Sequence, residues 1–476
     1  MRMGFPFRMA ALLAGSAALA ACAAMPVMEP RPELRAAASL GSSSLATEGT
    51  AAAWPSETWW QGYGDAQLSA LIEEALAGSP TLAMADARAR KAAAFAQSAG
   101  AAQLPALSAG GNVAALKQSY NNGIPPQFVP KGYNDIGRAA LDLSYEIDFF
   151  GRNRAALSAA TSEREAAAIE ARAARLSIAT SVATAYADLA RLAAQREVEA
   201  AALHQREEVA ALVARRVANG LDTRGELRQA ESAVPLARAD LAATDEGIAL
   251  TRNRIAALLG AGPDRGAGIA LPSAKALPSA GLPATLALDL VGRRADIAAA
   301  RLRAEAAAAR ITEARAGFYP NVNLVGFLGF QSLGLGNLTA SGSDIGQAGA
   351  AISLPIFSGG RITGTYRAAR ADYDEAVAQY NQTLIRALNE VADAAASHRA
   401  LATRQTEARA ARAAAEEAYA IARRRYEGGL SPYLAVLSAE DALLRTRQLV
   451  AALDARAMTL NVDLIRALGG GYAPAA

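Results

Sequence analysis

The chain of 476 residues is long enough for a large folded body, and 52% hydrophobic with 20% charged residues excludes general disorder. Lys+Arg is 48 against Asp+Glu 45, so the chain lacks the basic surplus or stripe that nucleic-acid binding requires. Low aromatic content (5%) and abundant alanine mark a helix-rich chain, because Ala loses no side-chain entropy in a helix.

The N-terminus reads as an export signal. Arg2 and Arg8 supply positive charge, and Met9 to Leu19 is an apolar stretch too short to span a bilayer as a stable helix. It ends in Leu19-Ala20-Ala21-Cys22, which resembles the lipobox of bacterial lipoproteins. Residues 1–21 are then a signal peptide, Cys22 carries covalent lipid, and 22–67 is a lipid-anchored N-terminal segment. The resemblance also implies outer-membrane sorting, since residue 23 is Ala rather than Asp. A plain secretory signal with an accidental cysteine is the alternative. Cys22 is the only cysteine, so no internal disulfide is possible. Beyond it, no run of 18 or more apolar residues appears, so a membrane-spanning part would have to be built from strands.

A tandem repeat organises the remainder. Arg215 to Leu221 echoes Arg424 to Leu430, and at the same offset Ala230-Glu231 matches Ala439-Glu440. Gly151-Arg152 and Leu259-Gly260 recur likewise as Gly360-Arg361 and Leu468-Gly469. The repeats span 68–260 and 286–469, joined by a Pro/Gly/Ala-rich linker, 261–285, and followed by a short tail, 470–476.

Each half has the same order. A helical segment, Leu68 to Gly100 or Leu286 to Ala316, precedes a strand–loop–strand segment, about 104–147 and 321–357. A very long helix follows. Residues 152 to 219 contain neither Gly nor Pro, about 100 Å of helix at 1.5 Å per residue. The second long helix is expected over Thr365 to Glu427. Apolar residues at mixed spacings of three, four and seven suit packing in a bundle. Interrupting Arg and Glu residues exclude membrane insertion of these helices. Each long helix ends at Gly220-Leu221 or Gly429-Leu430, where glycine suits the left-handed stop. A return helix follows, about Thr223 to Leu259 and Pro432 to Leu468, with a bend or weakness expected at Pro235 and Gly247.

The strand segments alternate, as in Leu141-Asp142-Leu143-Ser144-Tyr145-Glu146-Ile147, which is the pattern of an outer-membrane barrel strand. An ordinary soluble sheet packed on helices would give a similar pattern. Four strands cannot close in lipid, whereas three chains supply twelve. The fold class expected is mainly α with a β-barrel part. Duplicated helical and strand hairpins form a trimeric 12-stranded outer-membrane β-barrel continued by a 12-helix periplasmic α-barrel.

Five motifs in order resemble the TolC/OprM-type outer-membrane efflux proteins, in particular the lipid-anchored members serving resistance-nodulation-division (RND) pumps. They are Trp59 to Asp65, Arg293 to Ile297, Ala314 to Asn321, Leu354 to Arg361 and Arg425 to Leu430. Ala295 stands where the family usually has proline. The resemblance implies a homotrimer, a passive exit duct for small molecules, and outer-membrane lipid around it. It also implies a periplasmic adaptor (membrane fusion) protein and an inner-membrane RND-type pump that supplies the energy. The tips Gly220, Leu221, Gly429 and Leu430 would contact the adaptor. The second tip, which often carries acidic aperture residues in the family, has Ala435 and Ser438 at the matching positions. Asp222 and Glu226 of the first tip, read as lying on one helical face, are the replacement candidates. A plainer reading makes them solvated charges paired with Arg224 and Arg228.

Catalysis finds no foothold in the sequence. His204 and His398 each stand alone, giving no metal-ligand spacing, and no nucleophile elbow or P-loop is visible. No metal, cofactor or nucleic acid is expected. The main rival class is a periplasmic structural coiled-coil lipoprotein without a pore, and a second is a lipid-anchored hydrolase, against which the absence of a catalytic constellation argues.

Overall fold

A computed structural model describes residues 25–40, 54–272 and 292–472. They fall into two compact units: 25–34, 88–167 and 300–380 in one, and 35–40, 54–87, 168–272, 292–299 and 381–472 in the other. Cys22 and most of the inter-repeat linker lie outside the described residues. The helices are α1 (Ala66–Gly78), α2 (Pro80–Ala101), α3 (Arg152–Ala218), α4 (Arg224–Leu258), α5 (Pro263–Ala267), α6 (Ala295–Ala316), α7 (Arg361–Glu427) and α8 (Tyr433–Ala467). The strands are β1 (Ala106–Leu116), β2 (Asn134–Ile147), β3 (Asn321–Leu333) and β4 (Asp344–Ser353).

In the first unit the strands form one antiparallel sheet in the order β1-β2-β3-β4. Leu141 of β2 stands between Ala109 of β1 and Leu328 of β3, so the two halves of the repeat meet along β2 and β3. Beneath the sheet Ile311, Tyr366 and Ala369 form a small core with Met28 and Phe318. The chain before residue 35 is tied to α7, where the Arg370 guanidinium donates to the Glu29 carbonyl at 2.7 Å and the Tyr373 hydroxyl to that of Pro32 at 3.3 Å.

The second unit holds the larger core, in which Trp59, Trp60, Leu68, Ile72, Tyr186, Leu189, Ile255 and Val462 are buried together. Asp65 caps α1 by accepting from the Leu68 amide (3.0 Å) and also accepts from the Tyr186 hydroxyl (2.8 Å). Arg294 is almost wholly buried and binds Asp296 and Glu390, each at 2.7 Å, and the Ala467 carbonyl at 3.0 Å. That one side chain fastens the start of α6 to α7 and to the end of α8.

Three local expectations are corrected. The first helical segment breaks at Ser79, extended at ψ 121°, because the residue before Pro80 is disfavoured in the α region. In the second half the corresponding helix starts at Ala295, and 286–291 lie outside the described residues. Helix α7 starts at Arg361 rather than Thr365, since the amide of Gly364 bonds the Gly360 carbonyl (2.8 Å) and keeps the turn helical. Helix α4 is continuous through Pro235 and Gly247, the two positions at which a bend or weakness is expected. Gly247 admits Leu192 of α3, whose Cδ2 lies 3.3 Å from where a Cβ would stand, so close packing offsets the glycine's low helix propensity.

Candidate functional site: two sheet faces and two helical turns

Directly opposed residues of an antiparallel sheet share a face, so the register sorts the side chains. One face carries Leu107, Val113, Leu141, Leu143, Leu324, Leu328, Phe330 and Ile352, all exposed. The opposite face carries Ser108, Asn112, Arg138, Asp142, Ser144, Asn323, Gln331 and Gln347. There Arg138 pairs with Asp142 at 3.0 Å and lies over the ring of Phe327, 5.2 Å from its centroid. This cation–π contact accounts for an aromatic residue on the polar side. β1 and β4 each have a single neighbour, which leaves both sheet edges open.

Far along the chain from the strands, the two long helices end in matching turns. Gly220 (φ +71°) and Gly429 (φ +72°) are left-handed. The Leu221 amide bonds the Arg216 carbonyl at 2.8 Å, and the Leu430 amide bonds that of Arg425 at 2.7 Å. Leu221 and Leu430 are largely exposed, at 63% and 73%.

Asp222 joins the two turns. It lies before the N-cap of α4, not on the helix, so it shares no helical face with Glu226. Its carboxylate accepts from Arg216 Nε (2.9 Å) and Nη2 (3.4 Å) and from the Tyr426 hydroxyl of α7. The Arg216 guanidinium also stacks over the Tyr426 ring, 4.6 Å from its centroid. Burial, and then the bond to Asp222, push the Tyr426 hydroxyl well above the usual tyrosine range, so it stays a donor. The Asp222 bond, outweighing partial burial, raises Arg216 above its ordinary value.

Glu226 is committed elsewhere. It closes a capping box with Thr223, its carboxylate 2.8 Å from the Thr223 amide while Thr223 Oγ1 accepts from the Glu226 amide at 3.2 Å. The expected partner Arg228 pairs instead with Glu231 at 2.6 Å. Ala435 and Ser438 are both exposed on α8.

Deeper between the hairpins, Arg206 of α3 bonds Glu440 of α8 at 2.9 Å, and both side chains are more than nine-tenths buried. Burial pushes the Glu440 carboxyl above the usual carboxylate range, against the opposing pull of Arg206. Nothing in the spacing of Arg206, Arg216 or Tyr426 marks these residues in sequence, because their partners stand in other helices. Glu226 had a signal, the Thr-x-x-Glu pattern at a helix start. Among the described residues no group of His, Asp, Glu or Cys side chains suits a metal ion, and no helix is long and apolar enough to cross a membrane.

A family model described as outer membrane efflux protein matches residues 71–261 and 286–470. The chain belongs to the outer membrane efflux protein family. The fusaric acid resistance protein FusA of Burkholderia cepacia is 34% identical over 373 residues, covering 76% of this chain and 69% of FusA. The multidrug resistance outer membrane protein MdtP of Escherichia coli is 29% identical over 441 residues, covering 88% of this chain and 87% of MdtP. The crystal structure of the outer membrane protein VceC of Vibrio cholerae superposes with a TM-score of 0.83 at 47% identity, covering 88% of this chain and all of VceC. The outer-membrane channel OprN gives 0.85 at 25% identity, covering 95% of this chain and all of OprN. The resemblance in the five motifs is thereby borne out. This outer membrane efflux protein has the TolC-like channel fold, helical with a β part, and serves as an exit duct with a periplasmic helical extension.

Proposed function

We propose that three copies close their open sheet edges, β1 of one against β4 of the next, into a twelve-stranded barrel that conducts small molecules passively outward. The observation that carries this is one sheet with a largely apolar exposed face, which lipid wets, a largely polar face, which lines the lumen, and, among the described residues, two unpaired edges. Lipid tolerates neither open edges nor unpaired backbone groups, and four strands are too few to close. A scaffold without a pore has no use for an exposed apolar sheet face, so the coiled-coil alternative is set aside. The chain catalyses nothing and carries no cofactor beyond lipid on Cys22, which holds the mature N-terminus at the outer membrane. Energy comes from an inner-membrane RND-type pump, reached through a periplasmic adaptor that docks on Gly220-Leu221 and Gly429-Leu430. The supporting feature is the pair of exposed leucines at repeated turns. The resistance named for FusA and MdtP points to toxic small molecules as cargo. At the hairpin ends Asp222 works as a fastener between the turns and so keeps the duct shut at rest, a role distinct from a free acidic ring. Native mass measurement in detergent combined with single-channel recording tests the assembly. A trimer that conducts is expected, and a stable conducting monomer would refute the reading.

A further inference from the structure

The geometry points to the Arg206–Glu440 pair as the positioning element that sets the register of α8 against α3, and with it the meeting of Tyr426 and Asp222. This rests on the reading that the fastened turns keep the duct shut. Arg206 of α3 reaches two other helices at this level. Its Nε meets Glu440 at 2.9 Å, its Nη2 meets Asp441 at 3.4 Å, and its Nη1 meets the Ala233 carbonyl of α4 at 3.5 Å. Glu440 Oε2 is buried with no partner. A pair so enclosed, with one oxygen unsatisfied, is a poor source of stability, because desolvation cancels much of the attraction. What such pairs do well is specify alignment, as single buried polar residues do in coiled coils.

The surrounding surface needs that specification. The buried contact at this level is apolar, with Val209 and Val213 of α3 and Tyr433, Val436 and Leu443 of α8 in one cluster. Apolar packing is not directional, so a register one helical turn away, about 5.4 Å, is an alternative that the ion pair excludes. A slip of α8 carries α7 with it, because only the five residues 428–432 join them. Tyr426 would then leave Asp222. The internal repeat supplies a comparison within the same chain. The repeat partner of Glu440 is Glu231, which is exposed and pairs with Arg228 on its own helix. The repeat partner of Arg206 is Ala415. The buried pair is thus a feature of the α3–α8 contact alone and not something the duplication imposed.

The test uses the full-length trimer in planar bilayers, with thermal unfolding read in parallel. Arg206→Met with Glu440→Leu removes the charges and keeps the volume. The expected result is a melting temperature at or above the parent's together with a several-fold rise in resting conductance. The charge-swapped variant, Arg206→Glu with Glu440→Arg, should bring conductance back toward the parent. An apolar variant that stays as tightly shut as the parent would overturn the proposal, and so would a swapped variant that leaks as much as the apolar one. Asp222→Ala, measured alongside, separates the two levels of the argument. If it does not leak either, the fault lies in the reading that the turns hold the duct shut, and the register role falls with it.

Discussion

Replacing Asp222 with alanine removes the one carboxylate that joins the two turns. In the parent it takes two bonds from Arg216 and one from Tyr426, with the Asp222 side chain 7% and the Arg216 side chain 13% exposed. Removing one member of a buried ion pair costs about 3–5 kcal/mol. The turns lie at the end of the hairpins with water close by, which places this pair near about 3 kcal/mol. At 1.4 kcal/mol per decade the population with separated turns rises roughly 100-fold. Tyr426→Phe removes a single hydroxyl bond, about 1 kcal/mol or roughly fivefold. Resting conductance of single trimers should therefore rise in the order parent, Tyr426→Phe, Asp222→Ala. Cation preference should fall in the last, because Arg216 loses its counter-charge. Ser438→Ala should match the parent, since that exposed hydroxyl fastens nothing. If Asp222→Ala behaves like the parent while Ser438→Ala leaks, closure resides in the second turn and the reasoning is wrong.

Leu328→Arg places a charge on the lipid-facing side of β3, at a position 70% exposed, and should destabilise the inserted barrel by about 2–4 kcal/mol in vesicle unfolding. Gln331→Arg on the lumen face should cost little, and equal costs would remove the facial assignment. Gly429→Val should abolish efflux with the protein still in the outer membrane. No atom lies within 4 Å of the new Cβ, so the penalty is the left-handed backbone itself (φ +72°), and normal export would count against the tip assignment. Cys22→Ser should lose labelling by a palmitate analogue, and persistent labelling would exclude Cys22 as the anchor.

Features with a local signature were legible in the sequence. Gly220 and Gly429 announce their turns, the Gly/Pro-free stretches announce α3 and α7, and alternation around Leu141 announces β2. Where the reading failed, a neighbouring residue outweighed the pattern. Pro80 breaks the first helical segment at Ser79, and Thr223 starts α4 one residue too late for Asp222 to share its face. The Asp222–Tyr426 and Arg206–Glu440 contacts were out of reach in principle, because helix periodicity gives a face and not the partner across from it. Phe327 on the polar face is likewise explained only across the sheet, by the Arg138 guanidinium over its ring.

The pairing of β2 with β3 has a kinetic meaning. β2 ends at Ile147 and β3 begins at Asn321, with four of the described helices, α3 to α6, made in between. The β1–β2 hairpin therefore waits, with Leu107, Val113, Leu141 and Leu143 uncovered, until the second half of the chain has been delivered. Contacts so distant in sequence form late, whereas helical hairpins form from near neighbours. The helical parts of each repeat can settle before any strand enters lipid, and the half-finished sheet is the stage at which the chain is most exposed to aggregation.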